Sequence, residues 1–278
     1  MMEAAAGPVL EIDYSRTQLF PLHNAVAMRN FSEVQRLVDS GYNINEQHYD
    51  RVTPLHMACL TGDVEITQYL LQKGAWINAQ SIDNSTPLCD ACAGGSVECV
   101  KLLLNLGAAV NPPLLLSTPL HEAALRGNTE IVSLLIAAGA YLDPNDTHYG
   151  TPLHAACSMG SPSLSCIKCL LKSGVKVNAI KNHKTPLHYI AMNSKSIDAA
   201  RVLLQYGADP YLRTNSGLTA RQIAGQGSDM AILLAAFECT PQSLAHFCRL
   251  TIRRQLGPRR LKSLNRLEIP TILVHYLQ

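Results

Sequence analysis

The residues that could do chemistry in this chain are its histidines and cysteines, and both recur at set spacings. His56, His121, His154 and His188 each directly follow a Thr-Pro-Leu tripeptide, and His23 follows Phe20-Pro21-Leu22. Five such imidazoles would suit a metal array or a proton relay. Cys89-x-x-Cys92 and Cys166-x-x-Cys169 read as two halves of a zinc site. The regularity argues for a different use. A side chain that returns at one place in every copy of a unit serves the unit, here by hydrogen bonding between neighbours. Cys89 takes the histidine position of its own copy. Cys92, Cys99, Cys166 and Cys169 fall on small apolar positions beside Cys59 and Cys157, where a thiol packs as a small hydrophobe. No phosphate-cradling glycine loop, nucleophilic-serine elbow or metalloprotease motif occurs. The expectation is a chain without catalytic residues, cofactor or metal.

The elements that position these residues follow from the repeat itself. Thr-Pro-Leu starts at Thr53, Thr86, Thr118, Thr151 and Thr185, at spacings of 33, 32, 33 and 34, and Thr219-Ala220 continues the series. Threonine caps a first helix, and proline sits in its first turn, where a missing N–H costs nothing. Ala58, Ala91, Ala123, Ala155 and Ala191 keep that helix thin, and Leu70-Leu71, Leu103-Leu104 and Leu203-Leu204 turn a second helix toward a shared core. Gly41, Gly74, Gly107, Gly139, Gly174 and Gly207 end the second helix with a left-handed cap. An apolar residue and then Asn or Asp often comes next, as in Ile44-Asn45 and Val110-Asn111.

This unit resembles the ankyrin repeat, a helix–turn–helix joined by a β-turn. The resemblance covers residues 17–238 as about seven repeats, degenerate at both ends as water-facing terminal repeats must be. It leaves residues 1–16 as an N-terminal extension. An insertion around Ser161-Pro162-Ser163 is expected to bulge between the two helices of repeat five.

Composition agrees with a folded, Leu/Ala-rich helical array: 278 residues, 47% hydrophobic, 16% charged and 5% aromatic. No apolar stretch approaches a membrane span. Nine cysteines, with no basic-then-apolar start, point to free thiols and an intracellular, cytoplasmic setting.

Charge divides the chain. Residues 241–278 hold seven Lys/Arg and one acid, so the segment is +6 while the rest is −4. Leu244, Cys248 and Ile252 make one stripe of a helix that starts near Pro241 and ends at Gly257-Pro258. A short helical stretch from Leu261 to Leu267 follows, and Pro270 suits a further start. Forty residues of this kind cannot bury their apolar surface alone, so a partner or the repeat stack must cover it. No aromatic platform accompanies the arginines, which reads against nucleic acid and for solvated faces or contacts with an acidic partner.

The segment 239–278 resembles a SOCS box, and the whole chain resembles the ankyrin repeat and SOCS box family. The implied fold is all-α, an ankyrin α-solenoid with short β-hairpin tips followed by a small three-helix SOCS box. The resemblance implies elongin C binding through Ser243, Leu244, Cys248 and Ile252. It implies cullin binding through Leu267, Ile269, Pro270, Leu273, Tyr276 and Leu277, with Glu268 standing where the family often has a proline. The implied function is a non-catalytic substrate receptor of an elongin B, elongin C, cullin 5 and RING-subunit ubiquitin ligase, leading to degradation of its target. The rival reading is an ankyrin scaffold whose last helices only cap the stack. Ankyrin arrays bind through a concave surface, and projecting the register places Tyr49, Leu60, Leu114, Leu115, Leu125, Arg126, His148 and Met159 on it. Leu114 and Leu115 sit at a tip that is usually polar, and either contact a protein substrate or fold under to cover the hairpin. Trp76 and Tyr141 occupy equivalent positions and suggest an aromatic ledge or local packing.

Overall fold

The computed structural model describes residues 20–113, 117–145, 149–194, 196–239 and 244–262, together with Val274 and Leu277. Its helices fall into seven pairs and one further helix: α1 (Pro21–Ala27) with α2 (Phe31–Asp39), α3 (Pro54–Thr61) with α4 (Val64–Gln72), α5 (Pro87–Gly94) with α6 (Val97–Asn105), and α7 (Pro119–Arg126) with α8 (Thr129–Ala137). They continue as α9 (Pro152–Ser158) with α10 (Leu164–Lys172), α11 (Pro186–Tyr189) with α12 (Ile197–Gln205), α13 (Ala220–Ala224) with α14 (Asp229–Cys239), and finally α15 (Leu244–Lys262). The first helix of α11's pair widens into a π-helical turn at Ile190–Ser194.

The odd-numbered helices α1 to α13 stack as an inner row and the even-numbered α2 to α14 as an outer row. One continuous core runs between the rows. Each inner helix up to α11 contributes a leucine at most 1% exposed, from Leu22 and Leu55 to Leu187. The small residues permit this close approach. A methyl group added to Gly94 would lie 2.3 Å from the Leu60 carbonyl oxygen, so α5 packs on α3 at glycine distance.

The capping threonines and histidines form one ladder. The backbone N–H of Thr53, Thr118, Thr151 and Thr185 donates to Nδ1 of the histidine three residues on, at 3.1 to 3.3 Å. That bond leaves the proton on Nε2. His56 Nε2 then reaches the Ser85 carbonyl at 3.2 Å, His121 reaches Gly150 at 2.8 Å and His154 reaches Lys184 at 3.2 Å. Each accepting carbonyl precedes the next repeat's threonine. Phe20 replaces the threonine in repeat one, so His23 keeps the bond to the Val52 carbonyl while its Nδ1 has no partner among the described residues.

A second ladder explains the apolar-Asn pattern. Asn45 donates to the Gly74 carbonyl and accepts from the Trp76 N–H, at 3.2 and 2.8 Å. Asn111 does the same to Gly139 and Tyr141, and Asn178 to Gly207 and Asp209. Trp76 and Tyr141 are therefore equivalent through their backbones, while their rings stay 58% and 67% exposed. Asn178→Ala removes both bonds at a partly buried junction. It is expected to lower stability by about 1–2 kcal/mol, measured by urea unfolding.

Two expectations change. The tips form no strand among the described residues; only isolated bridges pair Lys181 with Lys184 and Arg213 with Thr219. Elsewhere the turn closes on one residue: His48 donates to the Val52 carbonyl at 2.9 Å and accepts from the Arg51 N–H at 2.8 Å, and Ser81 donates to Ser85 and accepts from the Asn84 N–H, both at 3.0 Å. Turns this short pair at one residue and do not extend into a ladder. The second change concerns Arg253, read from sequence as solvated or partner-facing. It is 8% exposed, and its Nη2 donates to the Leu171 carbonyl of α10 at 2.8 Å while Nη1 donates to the Leu277 carbonyl. Its guanidinium lies 5.0 Å from the Tyr206 ring centroid, and burial lowers its pKa. The array needed a cover for its flank and the short segment needed one for its own; this arginine joins them.

The inter-helix turn of repeat five is longer, as its insertion requires: α9 ends at Ser158, Met159 is extended, and α10 begins only at Leu164.

Candidate functional site

Two surfaces are built by this arrangement. The first is α15. Gly257, at φ 67 and ψ 173, breaks it where Gly257-Pro258 marks the end of a helix in the sequence. One side faces the array. Leu250 rests against Gly207, where any added Cβ would meet its methyl carbons at 3.1 Å, and Arg249 lies over Tyr206 at 5.2 Å. Leu250, Arg253, Tyr206 and Gly207 help bound a cavity of about 510 Å³ between α15 and the loop that follows α10. The other side faces outward. Cys248 is exposed, Ile252 is 43% exposed and Phe247 is 55% exposed. Residues 248 and 252 are four apart on one helical face, and 250 and 253 lie roughly opposite. The helix thus uses one face on the array and leaves an apolar face free.

Of the other box residues named from sequence, Leu244 opens α15, and its side chain lies outside the described residues, as do Ser243, Leu267, Ile269, Pro270, Leu273 and Tyr276. Leu277 is described. It is 6% exposed and packs with Val274 against Leu256, an internal contact.

The second surface is the groove lined by the inner row. Tyr49, Leu60, Arg126 and Met159 are exposed there and Leu125 is half-buried; Leu114, Leu115 and His148 lie outside the described residues. Tyr49 is held by ring contacts to His48 at 4.9 Å and Phe20 at 5.6 Å. Sequence reasoning passed over two further residues. Asp90 on α5 and Glu122 on α7 occupy the same repeat position, each taking a hydroxyl bond, from Ser85 at 2.7 Å and Ser117 at 2.6 Å. Burial, with the Glu122 charge added, pushes the Asp90 carboxyl up to about 6. An acid four residues after the capping threonine was the available signal.

The cysteines are placed as core residues. Cys59, Cys89, Cys92, Cys99, Cys157 and Cys166 are buried, and Cys169 is half-buried. Burial pushes the Cys89 thiol up to about 11 and Cys166 up to about 12, which keeps both protonated. The two Cys-x-x-Cys pairs sit on α5 and α10, and among the described residues no three potential ligands converge on a metal position.

Comparison with known proteins bears on both surfaces. The family profile described as "Ankyrin repeats (3 copies)" matches residues 22–114, 75–148, 120–214 and 161–243, and "SOCS box" matches 240–278. The chain is 40% identical over 137 residues to "Ankyrin repeat and SOCS box protein 5" of Bos taurus, covering 49% of this chain and 41% of that one. It is 37% identical over 136 residues to "Ankyrin repeat and SOCS box protein 9" of Homo sapiens, covering 49% and 45%. These matches span less than half the length of the relatives. Among solved structures, the human ASB11 ankyrin repeat domain superposes with a TM-score of 0.74 at 34% identity, covering 80% of this chain and 99% of that one. The ankyrin repeat domain of Bcl-3 gives 0.59 at 30% identity, covering 77% and 97%.

Proposed function

From the premise that this chain belongs to the ankyrin repeat and SOCS box family, we propose that it is the substrate-recognition subunit of an elongin B/C–cullin 5–RING ubiquitin ligase. The ankyrin groove holds a target protein and the SOCS box recruits the ligase. The chain contributes no catalytic group. It acts by raising the effective concentration of the target near the ubiquitin-charged enzyme, inside the cell and in the cytoplasm.

The observation that carries this reading is the two-sided α15. Its inward face is committed to the array through Leu250 and Arg253. Its outward face keeps Cys248 and Ile252 in solvent, with Phe247 exposed at its edge, as an unfilled partner site would. A helix that only capped the stack has no use for a second apolar face. Elongin C is the partner assigned to it, through Ser243, Leu244, Cys248 and Ile252. The cullin is assigned to Leu267, Ile269, Pro270, Leu273 and Tyr276, while Leu277 packs inward and holds the segment together. Co-expression of the full chain with elongin B and elongin C, followed by size-exclusion chromatography, tests the proposal. A stoichiometric complex that then binds cullin 5 is the expected result, and separate elution would leave the scaffold reading in its place.

A further inference from the structure

The inner helices present the same stripe of side chains to the groove in each repeat. In α3 it is Met57, Leu60 and Thr61; in α5 it is Asp90, Ala93 and Gly94; in α7 it is Glu122, Leu125 and Arg126. All nine are half-buried or exposed, whereas the intervening positions are core. Repeat three therefore contributes only Ala93 and Gly94 beyond its carboxylate. Its stripe is a notch between the leucines of the repeats on either side, and Gly94 holds α5 too close to α3 for any larger residue.

The floor of that notch carries charge without a counter-charge. α5 and α7 pack on each other, and Asp90 and Glu122 are near enough for one to raise the pKa of the other. Each carboxylate has one oxygen bonded to a serine hydroxyl, and the second oxygen of each has no hydrogen-bond partner among the described residues. Arg126, four residues on from Glu122 and well placed for a helical ion pair, forms none with it. Arg29, farther along the groove, is occupied by the Thr61 carbonyl. The neighbouring repeats return to apolar side chains at this position, Met57 before the pair and Ala155 and Tyr189 after it.

We infer that the groove takes a partner segment in which one lysine or arginine is flanked by apolar side chains, its cation seated on Asp90 and Glu122 between repeats three and four. The inference rests on the groove being the target-binding surface. A long basic side chain lays its apolar stem along the notch between Leu60 and Leu125 and brings its charge to the two unbonded oxygens. Adjacent packed helices lie about 8–10 Å apart, and an extended chain advances about 3.3 Å per residue. An extended partner thus crosses one repeat in roughly three residues, and because its side chains alternate between faces, the apolar anchors that share the groove face fall about two or four positions from the basic one.

The test is a positional-scanning library of synthetic peptides bound to the immobilised full chain, repeated with the Asp90→Asn/Glu122→Gln double variant. Both substitutions keep an oxygen for the serine hydroxyl. The melting temperature at pH 8 should therefore not fall, and it is measured alongside. The expected result is selection of Arg or Lys at one position with apolar residues about two or four positions away. The double variant should lose that basic preference and bind the selected peptides on the order of tenfold or more weakly. A library with no basic preference, no binders at all, or a preference that the double variant retains overturns the inference. Leu60→Ser and Met159→Ser separate it from the broader reading. If they weaken binding while the double variant does not, the groove binds but not through a cation. If neither set matters, the groove itself is wrongly assigned, and the elongin co-purification is untouched by either outcome.

Discussion

Cys248→Asp combined with Ile252→Asp is expected to abolish elongin B/C binding while leaving the melting temperature within a degree or so of the parent. Both side chains are exposed, so a charge there costs the free protein little. Against an apolar partner the same charges must be desolvated without a counter-ion, at about 2 kcal/mol or more each. Together they amount to roughly a thousandfold in affinity or more. Titration calorimetry with purified elongin B/C reads this directly. Unchanged affinity would mean that the outward face of α15 is not the partner site.

The other large effect belongs to Arg253→Ala. Its removal takes one donor from the Leu277 carbonyl and one from Leu171, whose carbonyl keeps the Gly174 N–H at 3.1 Å. A buried acceptor that loses its donor costs about 1–3 kcal/mol, so the contact between α15 and the array should weaken by about that much. Amide exchange over α15 is expected to accelerate by roughly five- to 150-fold, while exchange in α3 to α8 stays as it was. Elongin binding should survive, since the outward face is intact. Arg253→Lys keeps the charge but not the planar fork, and should recover only part of the protection. Equal protection in Arg253→Ala and the parent would refute the stitch.

Much of this architecture is readable from local spacing. Thr-Pro-Leu-His fixes a cap, a helix start and a ring at one register, so the inner helices and their ladder follow from a few residues each. The asparagine ladder shows where reading stops. The recurrence of Asn45, Asn111 and Asn178 is plain, but its task is to bond backbone about 30 residues onward, which only the stacked array brings near. Arg253 is harder still. Its partner Leu171 is 82 residues away, and a lone arginine in a basic stretch looks like any other. Asp90 and Glu122 were hidden differently: each looks like an ordinary helix-surface acid until the packing of α5 on α7 brings the two together. The tips among the described residues lack strands because strand pairing depends on turn length, which the repeat motif does not encode.

The histidine ladder makes the array a device wired in series with respect to protons. Nδ1 of His56, His154 and His188 is already occupied by a backbone N–H, so a proton arriving there must break a capping bond. Burial holds all three rings below the ordinary imidazole value, His154 down to about 4. The unfolded chain, with rings near 6.5, binds protons that the folded one refuses. Stability is therefore complete above about 6.5 and falls as acid is added, by up to about 1.4 kcal/mol per pH unit for His154 down to its folded value. Repeat three has Cys89 in place of the ring and Asp90 beside it. A carboxyl whose folded pKa is raised to about 6 from 3.8 gains stability as pH falls through that range. Acidification thus loosens the junctions on both sides while it tightens the one between repeats three and four. Hydrogen exchange at pH 5 and pH 7.5 should show α5 and α7 as the last segments to open, leaving the notch between repeats three and four as the fixed point of a chain that unlinks around it.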